Sequence, residues 1–169
     1  MLTGYLDDRS TNSWGEYLKG ALDLALSLAA SAIILYLYLG GSAYYWLPFT
    51  SAHIAVHPAV FLAISTFVLW ISINTTNCTD GVDGLSGTLV LLALISLGLI
   101  YYFVLGHTKI AGYLLVPHIA DGAQWALLFF ALSGTLMGYL WHNAFPSKVL
   151  MGDAGSRALG FFIGVGVIV

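Results

Sequence analysis

Residues 85–105 read LSGTLVLLALISLGLIYYFVL, a stretch without one charged side chain. A helix needs about 20 predominantly apolar residues to cross the hydrocarbon of a bilayer, so this stretch by itself predicts a transmembrane span. Water is absent there, and a helix satisfies every backbone donor and acceptor within its own segment. Three more runs of the same kind flank it, at Leu18 to Leu39, His57 to Ile73 and Ala123 to Trp141. The second is short and opens beside Pro58, a residue suited to a first helical turn. A fifth run starts near Ala158, and the 12 residues to Val169 are too few to cross. The expected fold is an all-α integral membrane protein, a polytopic helical bundle with about four full transmembrane helices plus a truncated fifth. Residues 1–169 form a single transmembrane domain in this reading.

Composition agrees. The 169 residues are 59% hydrophobic and 8% charged, with a mean hydropathy of +0.89, whereas soluble domains carry roughly 25% charged residues. A net charge of -3 excludes a nucleic-acid binder, which needs a basic footprint, and the apolar content excludes disorder. Cys78 is the one cysteine, so neither an internal disulfide nor a multi-cysteine zinc cluster can form. The first apolar run is no signal peptide, because it is too long, contains Asp23 and lacks a small-residue cleavage site after it.

Alternating the loops puts residues 1–17, 74–84 and 142–157 on one face and 40–56 and 106–122 on the other. Arg9, Lys19, Lys148 and Arg157 then fall on the first face and Lys109 on the second, which by the positive-inside bias makes the first face cytoplasmic. Asp7, Asp8, Glu16, Asp80, Asp83 and Asp153 lie on that same face, with Asp121 opposite. His53, His57, His107 and His118 share the other face with Tyr44, Tyr45 and Trp46. These read as loop and interfacial residues, since neither an HExxH motif nor a helical His pair is present.

Three polar stretches stand out on the first face. In NTTNCTDGVDGLSG, residues 74–87, Asn74, Asn77, Asp80 and Asp83 recur at every third position, and Gly81 and Gly84 predict a turn before the third span. Four oxygen-bearing side chains in ten positions exceed what a turn requires, and the spacing does not fit an EF-hand loop. NAFPSKVLMGDAGS, residues 143–156, leads into the fifth helix, and Gly152, Asp153, Gly155 and Ser156 at its entrance suggest an anion site of free backbone N–H groups, although Ser156 also reads as an N-cap. Asp7 and Asp8 in GYLDD form the third stretch. Asp23 follows Lys19 by four residues, is expected to pair with it along the helix, and stays outside the site.

Five aspartates facing one way would repel a phosphate unless a divalent cation stood between them, and such ligands suit Mg2+, which takes one or two carboxylates plus substrate phosphates. The pattern therefore suggests metal-assisted phosphoryl chemistry at the membrane surface.

These strings, in this order, resemble the polyprenyl-phosphate N-acetylhexosamine 1-phosphate transferase superfamily, and NxxNxTDGxDGL, MGDxGS and the NA-x-P element point to its phospho-N-acetylmuramoyl-pentapeptide transferase branch. The resemblance implies a central fragment of a larger, roughly ten-helix enzyme of the bacterial plasma membrane, with its active site on the cytoplasmic face. It implies transfer of phospho-N-acetylmuramoyl-pentapeptide from the UDP-linked donor to undecaprenyl phosphate, giving lipid I and UMP for peptidoglycan synthesis, with Mg2+ as cofactor and a homodimer as the assembly. By motif position, Asp7, Asp8 and Asp153 would be catalytic, with Asp7 the candidate base, and Asp153 and Asp80 would hold the metal. Asn74, Asn77, Asp80, Gly81, Val82, Asp83, Asn143 and Ser156 would line the substrate.

The sequence departs from that pattern at three places. Leu150 stands where the family usually has Phe, Arg157 replaces a usually apolar residue, and RSTNSW after Asp8 lacks the usual lysines. Helices before GYLDD and a later histidine-bearing loop are absent from the given residues, so little activity is expected of residues 1–169 alone. The alternatives are a related UDP-N-acetylhexosamine 1-phosphate transferase and a noncatalytic membrane scaffold. An ion-coupled transporter is disfavoured, because transporter acids sit near the bilayer midplane.

Overall fold

The computed structural model describes residues 15–46, 53–81, 84–143, 147 and 149–169. Helix α1 (Glu16–Ile33) continues as a π-helical segment through Tyr38. A hairpin follows, in which β1 (Ala43–Trp46) pairs antiparallel with β2 (His53–Val56), Ala43 opposite Val56 and Trp46 opposite His53. Then come α2 (Pro58–Thr79), α3 (Leu85–Leu99) with a π-helical extension to Leu105, the short α4 (Thr108–Leu114), α5 (Gly122–Asn143) and α6 (Gly152–Ile168).

Four helical stretches, 17–38, 58–79, 85–105 and 122–143, are long and apolar enough to span a membrane, so the chain is a polytopic helical membrane protein. Between 22% and 28% of each span is buried, and Leu37, Leu127 and Trp141 are 81%, 71% and 84% exposed. Those outer faces meet lipid. Lipid is as apolar as leucine, so close packing and hydrogen bonds hold the helices together there rather than the hydrophobic effect.

Two helix boundaries need correction. The second span does not stop at Ile73; α2 runs on to Thr79. Its polar tail remains helical because the side chains bond back to carbonyls one turn earlier: Asn74 Nδ2 donates to the Trp70 carbonyl (2.8 Å), Thr75 Oγ1 to that of Ile71 (2.8 Å) and Thr76 Oγ1 to that of Ser72 (2.8 Å). Such residues usually compete with a helix; here the helix absorbs them. The turn predicted by Gly81 and Gly84 is present, but it begins only at Asp80. The fifth helix, expected near Ala158, starts at Gly152, so GDAG is its first turn. The loop 40–56 holds a hairpin and 106–122 holds α4, neither of which was anticipated.

The core between α3, α5 and α6 gathers Val90, Leu94, Tyr101, Ala126, Phe129 and Leu136. A second cluster, Ile34, Leu35, Ala43 and Phe61, lies under the hairpin. The α2–α6 contact is of another kind. A Cβ at Gly160 would stand 2.5 Å from the Ser72 carbonyl oxygen and 2.9 Å from Ile73 Cα, and one at Gly164 would stand 2.9 Å from Leu69 Cδ2. Ser156, Gly160 and Gly164, four apart, thus give α6 the small-residue stripe that lets membrane helices touch backbone to backbone.

Candidate functional site

Contacts that pair rising numbers on α6 (160, 164) with falling numbers on α2 (Ser72 to Thr76, then Leu69) make the two helices antiparallel. The last turn of α2 therefore meets the first turn of α6 at one end of the bundle. Ser156 Oγ donates to Asn77 Oδ1 at 2.7 Å and locks that meeting. Asp80 lies one turn past Asn77 and Asp153 one turn before Ser156, both on the outward side of this bond. The two polar motifs, 79 residues apart at the bond, become one site.

Asp80 closes α2, its backbone N–H bonding the Asn77 carbonyl, and its Oδ1 accepts from Ser86 Oγ at 2.7 Å, which ties the end of α2 to the first turn of α3. Asn143 does the same between loops. Its Oδ1 accepts the Gly84 backbone N–H at 2.8 Å and its Nδ2 donates to the Val149 carbonyl at 2.7 Å, so the amide of this buried residue brackets both helix entrances. Gly84 sits at φ 74°, a left-handed conformation that glycine adopts without steric cost. Among the described residues neither α3 nor α6 has a side-chain cap at its N-cap position, and the first turn of α3 presents backbone N–H groups where the helix dipole favours an anion.

Asp153 carries two cationic neighbours. Lys19 Nζ stands 3.3 Å from its Oδ2, and Arg157 Nη2 stands 3.7 Å from the same oxygen. Arg157 is held more tightly on its other side, where Nη1 donates to Asp23 Oδ2 at 3.0 Å and Oδ1 at 3.2 Å. The i,i+4 pairing expected between Lys19 and Asp23 is therefore replaced by a crossed arrangement, Asp23 with Arg157 and Lys19 with Asp153. Burial explains the exchange: Asp23 and Arg157 are 2% and 5% exposed, and a charge that deep must be matched by a buried counter-charge.

Of the residues singled out in the sequence, Asn77 bonds Ser156 and Asp80, while Asn143 and Asp153 lie at the same end with other partners, Gly84 and Val149 for the first and Lys19 and Arg157 for the second. Gly81 is exposed beside Asp80. Asn74 bonds within its own helix. Ser156 is not an N-cap, since it lies in the second turn of α6 and its hydroxyl bonds Asn77. Asp7, Asp8, Val82 and Asp83 lie outside the described residues. Sequence reading missed Lys19, Asp23 and Arg157 as parts of the site; the available signal was the cost of placing any charge in an apolar run, which makes Asp23 and Arg157 seek each other.

Among the described residues no three His, Cys, Asp or Glu side chains group to cage a metal. The donor set still fits a hard divalent cation that keeps most of its water. Asp153 is 30% exposed at its side chain, and Asp80 has an oxygen beyond the one bonded to Ser86. One or two carboxylates with water and phosphate oxygens completing the shell is the usual provision for Mg2+. Beside the same helix start runs an apolar groove of about 920 Å³ between α5 and α6, walled by Leu132, Leu136, Tyr139, Met151 and Phe162.

The model of glycosyl transferase family 4 matches residues 1–169. Among similar proteins, a phospho-N-acetylmuramoyl-pentapeptide-transferase of Treponema pallidum (strain Nichols) is 60% identical over 169 residues, all of this chain and 47% of that protein. Proteins of the same name from Campylobacter hominis and Helicobacter hepaticus are 38% and 34% identical, covering 86% and 90% of this chain and 41% and 44% of their own lengths. The chain spans about half the length of these curated relatives.

Proposed function

The chain belongs to glycosyl transferase family 4, and from that premise we propose that its residues build the phosphoryl-transfer centre of a phospho-N-acetylmuramoyl-pentapeptide transferase on the cytoplasmic face of a bacterial plasma membrane. The observation that carries this reading is the Asn77–Ser156 bond, because it draws the two acid-bearing motifs together at one end of the bundle.

The reaction joins an oxygen of undecaprenyl phosphate to the phosphorus that bears the sugar in UDP-N-acetylmuramoyl-pentapeptide. As that bond forms, the phosphorus–oxygen bond to the uridine monophosphate half breaks, and its electron pair leaves with UMP. One pyrophosphate replaces another. The acceptor phosphate has a second pKa near 6 and is already largely dianionic at pH 7, so it needs little help from a base. The obstacle is repulsion between two anions, and the remedy is positioning with charge compensation. Asp153 and Asp80 would hold Mg2+, which when bound neutralises phosphate charge. The first turn of α3 offers N–H groups to phosphate oxygens, and Asn143 ties the start of that turn to the chain leading into α6. Asp7 and Asp8 are proposed to flank the acceptor phosphate.

The test is a chimera in which residues 1–169 replace the matching part of the Treponema pallidum relative, assayed for UMP release dependent on undecaprenyl phosphate and Mg2+. Transfer is expected, and Asp153→Asn should lower it by about a hundredfold or more, as removal of a principal electrostatic group does, with the fold intact by circular dichroism. Undiminished turnover in Asp153→Asn would remove Asp153 from the centre. A folded chimera that binds the uridine donor without turnover would favour the noncatalytic scaffold.

A further inference from the structure

The charges around Asp153 are not symmetrical. Arg157 lies four residues after it on α6, is 5% exposed, and could in principle give its whole guanidinium to that carboxylate, since an i,i+4 pair on one helix is a natural ion pair. It does not. Nη1 is given to both oxygens of Asp23 on α1, at 3.0 and 3.2 Å, while Nη2 remains 3.7 Å from Asp153 Oδ2. Nε of Arg157 is buried and bonds nothing among the described residues, so the guanidinium still has donors to offer. Asp23 itself reaches nothing that a reacting group could touch: it is 2% exposed, and the hydroxyl of Ser27 bonds its backbone carbonyl.

We infer that Asp23 is a positioning residue that engages Arg157 from the far side and so prevents it from capturing Asp153, leaving that carboxylate available to a divalent cation. This rests on the metal reading of Asp153 proposed above. The Asp23–Arg157 pair is close to neutral as seen from Asp153, so it holds one carboxylate oxygen with little opposing field. Neutralising Asp23 exposes Asp153 to an uncompensated positive charge at short range, where screening by the surrounding helices is weak. Neutralising Arg157 instead removes the guanidinium itself, and a carboxylate left unmatched at the depth of Asp23 does not keep its charge, so Asp153 again faces no net charge from this pair. A pair that served packing alone would lose binding in either variant. Among the described residues the other cation facing Asp153 is Lys19, and it is unchanged in each comparison.

The experiment is Mn2+ binding, followed by the loss of the free-ion paramagnetic resonance signal, in the chimera reconstituted into zwitterionic nanodiscs. Relative to the unsubstituted protein, Asp23→Asn is expected to bind about tenfold more weakly and Arg157→Gln within about threefold. The double variant Asp23→Asn/Arg157→Gln should return to within about threefold of the unsubstituted value. Circular dichroism and thermal melting establish folding. If Asp23→Asn does not fold, Arg157→Gln decides, because loss of a packing contact weakens binding and loss of the charge does not. Binding tenfold weaker in Arg157→Gln than in the unsubstituted protein overturns the counter-ion role, as does equal weakening in all three variants. The control Asp153→Asn separates the two readings: if it binds Mn2+ as the unsubstituted protein does, the metal reading of Asp153 fails and the counter-ion role goes with it.

Discussion

The two ends of the bundle are tied by different chemistry. Where α2 closes and α6 opens, four ties run side chain to side chain and cross between helices, beside the backbone bonds of Asn143: Ser156 to Asn77, Ser86 to Asp80, Lys19 to Asp153 and Arg157 to Asp23. At the other end, side chains bond backbone carbonyls, as Trp46 Nε1 does with Leu115 (2.6 Å), His118 Nδ1 with Leu105 (2.9 Å) and the Tyr101 hydroxyl with Gly166 (3.0 Å). Aromatic rings fill that end, with Tyr101 and Phe129 5.3 Å apart and Tyr45 and Phe61 6.0 Å apart, and burial pushes the Tyr45 phenol above its usual pKa. A backbone carbonyl bonded by a side chain serves shape alone. A carboxylate held through one oxygen keeps another for a ligand, so the first end can do chemistry and the second supports it.

The harshest way to break this contrast is to part α2 from α6. Gly160→Leu places a side chain against the Ser72 carbonyl and Ile73 Cα, at a site where even a Cβ would be 2.5 Å from the carbonyl oxygen. Backbone cannot yield as a flexible side chain can, so a loss of about 3 kcal/mol in reversible detergent unfolding is expected, together with loss of transfer in the chimera. A milder disturbance is the double-mutant cycle of Asn77→Ala and Ser156→Ala. By double-mutant cycle a hydrogen bond between membrane helices averages about 0.6 kcal/mol and reaches about 1.7, and a coupling energy of about 1 kcal/mol is expected of this 2.7 Å bond. Additive single losses would show that the two motifs are neighbours without being joined.

How far all this could be read from the sequence depends on whether a residue's partner is near in the chain. The span 85–105 needed nothing beyond its own apolar run and matches α3 with its extension. The ends of α2 and α6 differ from expectation because Asn74 to Thr79 and Gly152 to Ser156 have loop-like composition; the side chains that bond back along α2 keep the first segment helical, and Ser156, Gly160 and Gly164 seat the helix that the second segment begins against α2. The motif residues were identifiable, but Asn77, Ser156 and Asn143 were assigned to substrate when the structure uses their side chains to join helix ends. Arg157 looked like a mere departure from pattern until Asp23, 134 positions earlier, supplied its reason. A pair so far apart leaves no local signature.

The gentlest substitution sharpens the comparison from the opposite end. Tyr101→Phe removes one hydroxyl and with it the 3.0 Å bond to the Gly166 carbonyl. The ring can remain where it is, since Phe129 and Trp125 pack against it at centroid distances of 5.3 and 6.3 Å and the buried Tyr101 is only 3% exposed. The expected cost is about 0.6 kcal/mol, the average measured for side-chain hydrogen bonds between membrane helices. Transfer by the chimera should stay within about twofold of the unsubstituted rate, because a small stability loss leaves nearly all molecules folded and no group at the acidic end has moved. A tenfold fall in rate at unchanged stability would mean that α6 transmits displacement along its whole length, from Gly166 to Asp153. The two ends would then be one mechanical unit, and the division between a reacting end and a supporting end would have to be given up.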